Sequence, residues 1–141
     1  MFSIFKRNPK EDRSGKVLFD FLAEMEKNLE FFYVMDQRQF ITHGFLIDVW
    51  LRVKDLDMIR QHETILMYAR AMQDFNQSLK AYKEFEAWYT SDINHKSPEN
   101  ARKLHVLKND LDHRLKGMES VIILAGQDLE RQMLKLGLLK A

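Results

Sequence analysis

The chain has 141 residues, the size of one domain, and its 45% apolar and 30% charged content exclude intrinsic disorder. It has no cysteine, which excludes a disulfide framework, a thiolate metal site and a cysteine nucleophile, and which fits a reducing cytoplasm. The net charge of +1, from 22 basic and 21 acidic residues, lacks the basic excess of a nucleic-acid binder, so no nucleic acid is expected as partner.

Five glycines and two prolines leave few places for sharp turns, the composition of long helices rather than sheets. Residues 1–13 read as a flexible leader and residues 14–141 as a single helical bundle domain. The leader, MFSIFKRNPK at its start, places its bases after its apolar residues and lacks the apolar core of a secretory signal. No uncharged stretch approaches the ~20 residues of a membrane span. A soluble, cytoplasmic protein is the expectation.

The first helix is predicted from Ser14, as N-cap, to about His43, with Leu18, Leu22, Met25, Leu29 and Phe32 stepping by four and three along one apolar stripe. Gly44 is placed to stop it in a Schellman ending, with Phe45 against Phe40. Phe45 to Val53 is apolar almost all round and reads as a short buried helix or the opening of a longer one. Asp55 or Asp57 can cap the next helix. Ile65, Tyr68, Met72, Phe75, Leu79 and Tyr82 then mark a second long helix, which stops in the polar run Ser91–Lys96.

Ser97-Pro98-Glu99 is the clearest boundary: Ser caps, Pro occupies the first helical position, and Glu faces the positive end of the helix dipole. Beyond it, apolar residues recur on one face from Leu104 through Leu111, Met118, Ile122 and Leu129 to Leu136. This predicts a long C-terminal helix of about forty residues, roughly 60 Å, if Gly117 and Gly126 do not bend it. The fold class is therefore all-α, an antiparallel helical bundle of three or four helices. The stripes are apolar enough to leave room for a homodimer through a leftover face.

No histidine has a glutamate three residues before it, as di-iron bundles require, and the paired histidines of the HExxH zinc motif are missing, so no metal and no cofactor are expected. On a helix continuing to residue 43, Asp36 and His43 share the apolar stripe with Tyr33 nearby. They read either as a polar pocket for a small ligand or as structural polar groups satisfied by other helices. Arg102, Lys103, Lys108 and Arg114, with Lys116, give the last helix a basic face suited to an acidic partner.

His113-Arg114-Leu115-Lys116-Gly117 reads His-x-Leu-Lys-Gly and resembles, over these five residues, the phosphoacceptor motif of histidine phosphotransfer domains. Those are small four-helix bundles that relay phosphoryl groups between sensor kinases and response regulators. The resemblance implies His113 as the acceptor, Lys116 as a partner of the phosphoryl oxygens and Gly117 as the residue that leaves room beside the ring. His113 also lies opposite the leucine stripe, where an acceptor must be exposed. The leading expectation is nevertheless a non-catalytic bundle that binds another protein, with phosphoryl relay through His113 and ligand binding near Asp36 and His43 as alternatives.

Overall fold

The computed structural model describes residues 6–7, 13–34 and 43–140. They form an all-α bundle in which three long rods pack side by side: α1 (Arg13–Val34), α4 (Glu63–Ser91) and a bent rod made of α5 (Pro98–Leu115) and α6 (Met118–Lys135). Two short helices, α2 (Asp48–Val53) and α3 (Asp57–Arg60), lie between α1 and α4 in the chain. Among the described residues the strands are one antiparallel pair of two residues each, β1 (Lys6–Arg7) and β2 (Leu139–Lys140), with Arg7 opposite Leu139. Part of the segment expected as a leader is thus paired with the chain's other end.

α1 begins at Arg13, so Ser14 lies within the helix rather than capping it. The expected continuation to His43 and the Phe40 contact fall on residues 34–42, mostly outside the described residues. His43 is helical and Gly44 follows at a φ of +69°, the left-handed conformation expected of a helix stop. Leu18, Leu22, Met25 and Leu29 of the predicted stripe are buried, with Phe21 beside them, and Phe32 is partly buried.

α4 follows its predicted stripe, with Ile65, Tyr68, Met72, Phe75, Leu79 and Tyr82 all buried. It starts without a side-chain cap at His62, and Leu56 rather than Asp55 or Asp57 occupies the N-cap of α3. α5 starts as its sequence dictates: Ser97 Oγ accepts from Asn100 N–H at 3.1 Å and Pro98 takes the first helical position. The expected long C-terminal helix breaks at Gly117, whose φ of +78° makes it the start of α6, whereas Gly126 stays helical and buried. Leu136, placed on the buried stripe by periodicity, is exposed because α6 ends one residue earlier.

The bent rod runs antiparallel to both α1 and α4, which run in the same direction as each other. Tyr33 near the end of α1 meets Glu119 at the start of α6, and Gly15 lies against Leu138. Thr64 at the start of α4 reaches Asp128 late in α6, while Lys103 of α5 lies over Phe85 of α4. Residues 44–60 form a strap that runs back along α1, matched by Asn28 to Leu46, Glu24 to Val49 and Asp20 to Arg52. The core therefore sits among α1, the strap, the first half of α4 and α6.

Candidate functional site

Beyond Tyr82 the core ends. α6 buries seven residues, but α5 buries only Leu111, so the second half of α4 and most of α5 form a two-helix hairpin over which no third helix closes among the described residues. Leu104 and Leu107 are partly buried along the seam, and Lys103 Nζ sits 4.8 Å from the centre of the Phe85 ring, covering its edge of the seam with a cation–π contact.

The tip of this hairpin is built by local hydrogen bonds. The His95 ring stacks on Trp88 with centroids 4.0 Å apart and planes 11° off parallel. His95 Nδ1 lies 2.7 Å from the Trp88 carbonyl oxygen. A carbonyl can only accept, so the proton of a neutral His95 resides on Nδ1. Ser91 Oγ donates to the same carbonyl at 2.6 Å, Asn94 N–H donates to Asp92 Oδ1 at 2.9 Å, and Asn100 Nδ2 donates to His95 O at 2.8 Å. These bonds fix the turn, and among its exposed side chains, which include Asn94 and Lys96, two are large and apolar: Ile93 is 81% exposed and Trp88 44%. Val106, on the outer side of α5, is 64% exposed.

The sequence-predicted groups are spread over the surface. His113 and Lys116 are both exposed, but α5 ends at Leu115, and Lys116 has extended backbone at its C-cap. Lys116 still closes the turn that follows His113, its N–H donating to the His113 carbonyl, and Gly117 is a left-handed turn residue rather than a helical one. Tyr33 is exposed and donates to Glu119 Oε1 at 2.6 Å, which holds its phenol above the ordinary value. His43 is exposed, and Asp36 lies outside the described residues, so the described members of the expected polar pocket are surface groups.

Arg102, Lys103, Lys108 and Arg114 are all exposed. They do not share a face. At 3.6 residues per turn, Lys103 and Arg114 flank one edge of the leucine stripe, Lys108 flanks the other, and Arg102 lies opposite. Arg114 is also engaged, its Nε 2.9 Å from Asp110 Oδ2. The bases form a dispersed collar rather than one positive surface.

Sequence reasoning passed over a different set of polar residues. Glu24 and Asn28 of α1 are buried, and Asn76 of α4 is partly buried. Asn76 accepts from Phe45 N–H at 2.8 Å and donates to Phe45 O at 2.9 Å. Asn28 does the same for Leu46, and Glu24 accepts from Val49 and Trp50 N–H at the start of α2. These groups satisfy the main chain of the strap where no helix does. The available signal was their position: Asn28 interrupts the apolar stripe of α1 three residues after Met25.

A shallow groove of about 330 Å³ opens between α4 and the bend, floored by Met67, Ala71, Met118 and Val121 and edged by Arg70 and Asp74. Among the described residues no group of three or more His, Asp or Glu side chains is placed to hold a metal ion, and no helix is long and apolar enough to cross a membrane. No protein-family model, curated protein or solved structure matches this chain.

Proposed function

We propose that this chain is an interaction module that binds another protein through the tip of the α4–α5 hairpin. The observation that carries this reading is the contrast in burial between the two halves of the bent rod. α6 is spent on the core, while α5 buries one residue and instead holds α4 out beyond the core, with Ile93 at the turn. An aromatic side chain fixed by stacking, next to an exposed aliphatic one, offers contact area whose conformational entropy is already restricted.

A photo-crosslinking residue at position 93, compared with one at Leu56 on the strap, tests it in the cell of origin. The expected result is one protein captured at position 93 and not at position 56, whose binding in purified form weakens about tenfold or more with Ile93→Asp. Capture of the same proteins at both positions, or binding indifferent to Ile93→Asp, overturns the reading.

Phosphoryl uptake at His113 is the alternative reading, favoured by the exposure of His113 beside an exposed Lys116.

A further inference from the structure

The outer side of α4, away from α1, carries the groove floored by Met67 and Ala71, and no helix among the described residues covers it. Arg70 and Asp74 lie there one turn apart. Neither makes a hydrogen bond or ion pair with a described residue, although the i, i+4 spacing brings them within reach of one another. The order explains this: with the base N-terminal to the acid, both charges oppose the helix dipole, and the intrahelical pair is the weaker of the two arrangements. Two opposite charges are therefore left on a surface whose third charge, Arg114, is held by Asp110, and where Met67 is 51% exposed and Leu124, one turn on from Val121, is exposed as well.

That pattern complements itself. When two copies of α4 lie antiparallel about a two-fold axis passing between residues 70 and 74, Arg70 meets the partner's Asp74, and Asp74 meets the partner's Arg70. One symmetry operation satisfies both charges on both chains, as an isologous contact requires. Ala71, beside the axis, adds little bulk and lets the helices approach. Met67 and Val121 then supply apolar contact around the paired charges, where exclusion of water strengthens them.

We propose that this chain forms an isologous dimer across the outer face of α4, with reciprocal Arg70–Asp74 pairs at its two-fold axis. This surface is separate from the hairpin tip, and the dimer stands whether or not the tip binds a partner.

Charge reversal tests the arrangement directly. Sedimentation equilibrium of the full chain between roughly 1 μM and 1 mM should show a monomer–dimer equilibrium for the wild type. Arg70→Asp leaves only acids at the axis and Asp74→Arg leaves only bases, so each weakens dimerisation by about tenfold or more. The double variant Arg70→Asp/Asp74→Arg restores opposite charges and regains the dimer, and an equimolar mixture of the two single variants forms the heterodimer. Circular dichroism should be unchanged throughout, because Arg70 is exposed and Asp74 only half-buried. A wild type that is monomeric over the whole range, single reversals that leave the dimer intact, or a double variant and mixture that stay monomeric each overturn the proposal.

Discussion

Asn28 holds Leu46 by both of its main-chain groups: Nδ2 donates to the carbonyl at 2.9 Å and Oδ1 accepts from the N–H at 2.8 Å. The same Nδ2 donates to Tyr68 Oη at 2.7 Å, so one side chain ties α1, the strap and α4 together. Burial keeps the Tyr68 phenol well above its ordinary value, and it remains the neutral partner of the amide at any working pH. Asn28→Ala removes all three bonds and leaves their partners without a mate. Each unpaired buried group costs about 1–3 kcal/mol, and Leu46 lies near enough to water to recover part of this, so the expected loss is about 3 kcal/mol. Urea unfolding measures it. A loss under about 1 kcal/mol means that water takes the place of the amide.

The helices were readable because a buried helical face repeats every three or four residues, and that periodicity survives whatever the tertiary contacts turn out to be. The α4 stripe and the Ser97–Pro98 start are local signals with local causes. Asn28, Asn76 and Glu24 were not readable in the same way, since their partners are main-chain groups of a strap 18 or more residues away that has no periodicity of its own. The hairpin was missed for a related reason. Leu104, Leu107 and Leu111 look like core in sequence, but a stripe says only that one face is covered, not how many neighbours cover it. The basic face failed because charge was counted along the chain and not around the helix.

Gly44 and Gly117 are both left-handed, yet they differ in surroundings. A Cβ on Gly117 meets nothing within 4 Å, so Gly117→Ala carries only backbone strain, about 1–2 kcal/mol. A Cβ on Gly44 comes within 2.7 Å of Asn76 Oδ1, the atom that accepts from Phe45 N–H. Gly44→Ala therefore adds a displaced amide to the same strain and is expected to lose about 3 kcal/mol. Thermal unfolding of the two variants side by side should rank Gly44→Ala as the less stable. The reverse order would mean that Asn76 shifts freely and contributes little to holding Phe45.

His113 presents an exposed ring, but the helix ends two residues later and the chain turns at the left-handed Gly117, so Lys116 is the last residue of that helix able to face a phosphoryl group on the ring. Exposure to a small phosphoramidate donor is therefore expected to leave the intact mass unchanged, for the wild type and for His113→Gln alike. Native mass spectrometry at neutral pH reads this directly. A single added phosphoryl group that disappears in His113→Gln would instead establish phosphoryl relay as the function and displace the interaction reading.

Glu130 is a carboxylate committed to the core, 2% exposed on α6, with Oε1 lacking a hydrogen-bond partner among the described residues. Burial, with the Glu26 carboxylate of α1 adding repulsion, pushes its carboxyl up to about 7. Between the ordinary glutamate value of 4.5 and that raised value, the folded chain holds a proton that the unfolded chain has lost. Stability is therefore highest below pH 4.5 as far as this group is concerned and falls as pH rises to 7, by on the order of 3 kcal/mol. Glu130→Gln keeps the shape and removes the titration. Its stability should match that of the wild type within about 1 kcal/mol at pH 5 and exceed it by about 2–3 kcal/mol at pH 8, as read by urea unfolding at the two pH values. Parallel pH profiles for the two proteins would mean that Glu130 is ionised and solvated in the folded chain, with the α1–α6 contact open enough to admit water.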